Sequence, residues 1–149
     1  MVSWFGEVVS QQDRIELKLA DKPSAEDQQV LEAFTMLIAL RSWAPHWKGK
    51  RVSLAVQSDN MATLAMVARM QPHSERLGRI AREIALDISA SEYSPDITVH
   101  VPGLANKAAD DLSRRWQPGK SAALPAYLLP EHELRLPPRD TTWWRSGPA

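Results

Sequence analysis

The chain predicts a mixed α/β fold, and three observations carry the prediction. Two short segments, Arg51 to Gln57 and Ile97 to Val101, place apolar residues at every second position, as strands do. Between and around them lie helix-forming stretches opened by capping serines. Prolines stand at most of the boundaries between these segments, where they end one element before the next begins.

In chain order, two alternating segments come first, around Trp4 to Val9 and Ile15 to Leu19, on either side of the polar run Ser10 to Arg14; they predict a hairpin. Pro23 and Ser24 then announce a helix. Ser24 is its N-cap, and Glu26 and Asp27 fall in the first turn, where the positive end of the helix dipole favours acids. Pro45 stops it. The strand at Arg51 to Gln57 carries Val52, Leu54 and Val56 on one face and has Asp59 at its end. A helix over about 60–70 follows and is ended by Gln71-Pro72.

Ser74 caps a longer helix in which Leu77, Ile80, Ala81, Ile84 and Ile88 recur every three or four residues, with Arg79, Arg82, Glu83 and Asp87 on the other side. That is the pattern of an amphipathic helix covering a sheet. Pro95 precedes the second strand, and a closing helix runs from about Asn106 to Trp116. After Gln117-Pro118-Gly119 the composition shifts, since six of the eleven prolines lie from Pro118 onward. Proline lacks an amide proton and fixes φ, so this part is expected to be extended. The predicted organisation is one domain over 1–118 and a proline-rich extended tail over 119–149.

The length of 149 residues suits about one domain with a sizeable core. Formal net charge is zero, so nucleic-acid binding would have to use local patches rather than a global positive field. There is no cysteine, which excludes disulfides and thiolate metal sites and makes an intracellular setting the default expectation. No apolar run approaches a membrane span and no signal-peptide pattern opens the chain, so no membrane partner is expected.

Three acids stand out. From Val30 to Leu40 every residue is apolar except Glu32 and Thr35, so the Glu32 carboxylate sits on a helix that is apolar nearly all round. A buried unpaired carboxylate takes up a proton or finds a partner; Glu32 either reaches water near the helix start or meets a cation. Asp59, at a strand-to-helix junction, is either the N-cap of the next helix or a ligand held at a strand end. On the closing helix, Asp110 has Arg114 four residues on, and Asp111 has Lys107 and Arg115 four residues away on either side. Such spacing suits surface ion pairs, and spacing alone does not choose between the two acids.

The fifteen residues His100 to Arg114, HVPGLANKAADDLSR, add a further signal. This segment resembles the end of the ribonuclease H domain of retrotransposon (LTR, gypsy-like) reverse transcriptases, in which a strand ending in His-x-Pro-Gly is followed by Asn, then Ala-Asp, then Leu-Ser-Arg. The likeness extends over roughly 4–118, with Ser58-Asp59-Asn60 closing an upstream strand and Glu32 on the helix before it. It implies a ribonuclease H-like mixed sheet flanked by helices. It further implies that Glu32, Asp59 and Asp110 are metal-binding and catalytic, with Asn106, Ala109 and Leu112 matching the family's surroundings of the last acid and Asp111 a solvated neighbour.

An all-carboxylate set points to Mg²⁺ or Mn²⁺ rather than zinc. The implied reaction is hydrolysis of the RNA strand of RNA/DNA hybrids, read by groove shape and phosphates rather than by base sequence. Asn60 and Asn106, with Lys48, Lys50, Arg51 and Arg76, are weaker candidates for nucleic-acid contact, as are Arg69 and Arg79; the same cations also suit a solvated surface.

The departures matter too. The family's first, central strand carries another metal-binding Asp, whereas Trp4-Phe5 resembles its second strand, and neither Asp13, Asp21 nor Glu7 has the right context. Absence of that strand predicts weaker metal binding and unpaired strand edges, which a second copy or the rest of a polyprotein would cover. The alternative function is therefore a catalytically inactive remnant or interaction module that binds nucleic acid or protein. His100 falls on a strand position and receives no catalytic role. Trp143-Trp144, beside Arg139 and Arg145, suits docking on this domain or on a partner.

Overall fold

Helix α2, Ala25–Trp43, is the centre of the packing in the computed structural model, which describes residues 3–6, 8–22, 24–47, 52–58, 74–91, 93–100, 107–115, 119 and 126–146, with 52–58, 91, 93–100 and 113 through their backbone. Its start is built as its sequence implies. Ser24 Oγ accepts from the Asp27 amide at 3.1 Å while the Asp27 carboxylate accepts from the Ser24 amide at 3.2 Å, a reciprocal capping box. Its apolar run buries Val30, Ala33, Phe34, Leu37, Ile38 and Leu40. After Trp43 the chain tightens into a three-residue 3₁₀ turn, Ala44–His46, at the Pro45 that forbids further α-helix.

Helix α3, Glu75–Ser91, packs against α2 and contributes Leu77, Ile80, Ala81 and Ile84 to the same core. Ser74 caps it, its Oγ accepting from the Leu77 amide at 3.2 Å. Full burial of side chains such as Leu37, Leu77, Ile80 and Ile84 is worth about 1.5–3 kcal/mol each before conformational entropy is counted.

Strands β1, Val52–Ser58, and β2, Tyr93–His100, pair in parallel from Val52↔Tyr93 to Ser58↔His100. Register slips between Ser53 and Ala55, whose partners are Ser94 and Ile97. Pro95 falls in that gap, where a missing amide proton does least harm to the ladder. The strand therefore starts before Pro95 rather than after it. The last α-helix, α4, spans Lys107–Ser113. The helix expected over 60–70 lies outside the described residues, as do the turn at 101–106 and residues 116–118.

Two expectations are corrected. The hairpin at Trp4 to Leu19 does not form: Gln11–Glu16 is a helix, α1, because Ser10 and Asp13 make a second reciprocal capping box. The polar run that reads as a turn between strands is itself the helix, and Trp4 instead forms a single parallel bridge with Glu133 of the tail. The ribonuclease H-like mixed sheet flanked by helices is likewise not supported. The described part is predominantly helical, and its buried core joins Leu17, α2, α3 and Trp144 of the tail, packing helix on helix. Only the parallel β1–β2 pair is seen among the described residues.

Residues 126–146 run along the helices with extended backbone broken by 3₁₀ turns at Pro130–His132 and Thr141–Trp143. Trp144, 3 % exposed, stacks on Phe34 with ring centroids 5.6 Å apart, and Trp143 meets both rings edge-on. Nearer the N-terminus, Trp4 is buried with its Nε1 donating to the Leu129 carbonyl at 2.9 Å, and Gly6 lies against Leu112 of α4. No described helix is long and apolar enough to cross a membrane.

Candidate functional site

Glu32 lies two residues into the apolar run of α2. Gln28, one turn earlier, donates to its Oε1 at 3.5 Å, while its Oε2 is buried and has no hydrogen-bond partner among the described residues. An unsatisfied buried carboxylate oxygen costs free energy on the order of 1–3 kcal/mol. A structure retains such an oxygen most readily where a further group satisfies it.

Asp110 and Asp111 lie in α4, and both make the ion pairs their spacing allows. Arg114 Nε stands 3.2 Å from Asp110, whose side chain is 41 % exposed, and Lys107 Nζ stands 3.1 Å from Asp111. Tyr127 also donates to Asp111 at 3.3 Å, and desolvation, followed by that neighbouring carboxylate, raises the tyrosine's pKa. Arg115 turns away from Asp111 to Glu133, at 2.9 Å.

Asp59, Asn60, Lys48, Lys50, Arg51 and Asn106 lie outside the described residues, as does Arg69. Of the expected metal ligands, Glu32 and Asp110 are the two described, and no group of three His, Asp or Glu side chains converges among the described residues. The donor chemistry still fits a hard divalent cation, because carboxylate oxygens are what Mg²⁺ and Mn²⁺ take and Glu32 has an oxygen to offer.

Arg76, a candidate nucleic-acid contact, is engaged within the protein. Its guanidinium bonds Asp27, reaches the carbonyls of Leu17 and Lys18 at 3.4 and 3.3 Å, and lies 3.4 Å from Glu26. The hydrogen bond from Arg76, with that from the Ser24 amide, holds the Asp27 carboxyl below its ordinary range, and Asp27 in turn raises the Arg76 pKa.

On the charged side of α3, Arg79, Glu83 and Asp87 are buried, while Arg82 is exposed. Arg41 of α2 donates through Nη2 to Glu83 at 2.6 Å and through Nε to Asp87 at 2.7 Å. Glu83, wholly buried, also accepts from the Arg145 amide at 3.0 Å and from the amide and hydroxyl of Ser146 at 2.9 and 2.8 Å. Burial alone would raise the Glu83 pKa, but these donors more than offset it and the carboxyl is lowered. Arg41 also faces the Trp143 ring at 4.3 Å and Arg79 the Trp144 ring at 3.9 Å. The pattern of α3 holds no sign that these charges are covered. The sign is in the tail, where Trp143-Trp144-Arg145 supplies the aromatic and basic groups that cover them, and the tryptophan pair docks on this domain.

Beside this network, Glu16, Leu17, Lys18, Glu75, Arg76, Arg79, Arg82 and Ser146 line a cleft of about 210 Å³. Lys18 has positive φ, 52°, which turns the chain sharply at the end of α1. No family model matches this chain, and no curated protein or solved structure is significantly similar to it.

Proposed function

We propose that this chain is a metal-dependent phosphodiester hydrolase of the retroelement ribonuclease H type, acting on the RNA strand of RNA/DNA hybrids. The observation that carries the reading is the buried, unpartnered Oε2 of Glu32. It is an acceptor on an apolar helix surface, in a chain whose Ser58-Asp59-Asn60 and His100 to Arg114 segments resemble that family's. The reading rests on these residues and not on a sheet architecture.

In it, Glu32, Asp59 and Asp110 hold Mg²⁺ or Mn²⁺, which when bound would lower the pKa of a water and offset the charge on the leaving oxygen. Glu32 contributes a carboxylate already stripped of water on one oxygen. Asp110 must exchange Arg114 for the cation, a small cost because exposed pairs of this kind contribute about 0.2–1 kcal/mol.

A second reading, a catalytically inactive module that binds nucleic acid or protein, is favoured by the Asp110–Arg114 pairing, which leaves that acid engaged at the surface. Incubating the purified chain with a labelled hybrid in Mg²⁺ and in Mn²⁺ separates the two. Cleavage that is lost in Glu32→Gln, Asp59→Asn and Asp110→Asn is the expected result. A folded chain that cleaves in neither metal ends the hydrolase reading. Activity that survives Asp110→Asn and disappears in Asp111→Asn moves the site by one residue.

A further inference from the structure

From the cleft between the end of α1 and the first turns of α3, we infer a phosphate-binding groove for the sugar–phosphate backbone of a nucleic acid, with Lys18 and Arg82 as its contacting cations. The inference rests on the proposed nucleic-acid substrate and adds the surface that holds its backbone.

Four of the eight residues lining the cleft are cationic, Lys18, Arg76, Arg79 and Arg82, against the two acids Glu16 and Glu75. They divide into two kinds. Arg76 and Arg79 are half-buried and buried, and each is tethered: Arg76 by Asp27, Glu26 and two carbonyls, Arg79 by the carboxylate and carbonyl of Glu16 at 2.8 and 2.9 Å. Their acids neutralise much of their charge, so they serve as a rigid floor.

Lys18 and Arg82 are exposed and line the same cleft, and their side chains make no hydrogen bond or ion pair with any described residue. Their charge is therefore available to a ligand; of the two acids in the described lining, Glu16 is paired with Arg79, which leaves Glu75 to oppose it. The three arginines recur every third residue along α3, a row about 9 Å long at 1.5 Å per residue. A row suits a chain of phosphates better than one small anion, and the zero net charge of the whole protein makes a local patch the only electrostatic route to nucleic acid.

Binding of a fluorescent RNA/DNA hybrid, followed by anisotropy in EDTA so that no cleavage occurs, tests the groove across a range of salt concentrations. Lys18→Glu with Arg82→Glu is expected to weaken binding at least tenfold and to flatten the dependence of log affinity on log salt by about 1–2, the loss of one or two phosphate contacts. Arg135→Glu, an exposed arginine outside the cleft, serves as the reference for a charge reversal elsewhere. Unchanged binding in the double variant, or equal weakening by Arg135→Glu, overturns the groove. Cleavage in Mg²⁺ is measured alongside: a wild-type chain that binds through these residues without cutting removes the hydrolase reading and keeps the groove. A wild-type chain that does not bind the hybrid removes the groove whether or not it cuts.

Discussion

The two acid-bearing regions of this protein treat their carboxylates in opposite ways. Where the tail crosses the helices, each buried acid meets an arginine: Glu83 and Asp87 share Arg41, Asp13 takes a two-point contact from Arg139 at 2.7 and 3.0 Å, and Glu16 takes Arg79. At Glu32 a buried oxygen has no described partner, and on α4 the acids make their i,i+4 pairs with Arg114 and Lys107, both of which are exposed. The difference teaches which acids the fold itself satisfies and which it does not. A buried carboxylate surrounded by donors serves stability; the oxygen left incomplete at Glu32 is the one the proposed metal site would use.

The largest effect should come from breaking the satisfied region. Arg41→Met leaves Glu83 and Asp87 without their shared guanidinium, and removing one partner of a buried pair typically costs about 3–5 kcal/mol. Chemical denaturation should show a loss of this size, while a loss below about 1 kcal/mol would mean that Arg145 and Ser146 suffice to hold the acids.

Acid should act on the same region. Asp13, Asp27 and Glu83 all have pKa values lowered on folding. For Asp13 burial pulls upward, but Arg139 and Ser10 outweigh it. With folded pKa values below the unfolded ones, the unfolded chain binds more protons in between, so this stability is complete above the unfolded carboxylate range of about 4 and is lost as pH falls through the folded values. Thermal midpoints should hold level from neutral pH to about 5 and fall below about 4. A midpoint that rises on acidification contradicts the assignment.

Glu32→Gln separates the regions more finely. Replacing a carboxylate that has one buried, unpartnered oxygen by a neutral amide relieves a charge burial, and the variant should be as stable as the parent or more stable by about 1 kcal/mol, while on the proposed hydrolase reading it loses hybrid cleavage. A drop in melting temperature comparable to that of Arg41→Met would show that Glu32 is a structural acid. The smallest effect belongs to Asp110→Asn, which removes an exposed pair and should change stability by no more than about 0.5 kcal/mol in a denaturation experiment.

Local signals in the chain were legible where a few neighbouring residues settle the outcome. Ser24 with Asp27, and Ser74 ahead of Leu77, mark helix starts because the cap and its amide lie within one turn of each other. Pro45 marks an end for the same reason. Of the alternating residues, those at 52–57 and 97–100 fall on the paired strands, although Pro95 is accommodated by a bulge and does not delimit β2. The hairpin failed because period-two apolar spacing over Trp4 to Val9 and Ile15 to Leu19 is weak beside a capping box, and Ser10 with Asp13 makes one.

By itself, then, the sequence determined the caps of α2 and α3, the stop of α2, the apolar positions of their core faces, and the i,i+4 partner of Asp110, while for Asp111 it offered both Lys107 and Arg115. All of these depend on residues within about two helical turns of each other. Tertiary structure alone decided that Arg79, Glu83 and Asp87 of α3 are covered, that Trp144 completes a core begun by Phe34, and that Asp13 answers to Arg139 across most of the chain. Burial, and with it the meaning of a charge, is set by what packs over a residue, and here the covering segment is more than fifty residues away in sequence from the acids it covers.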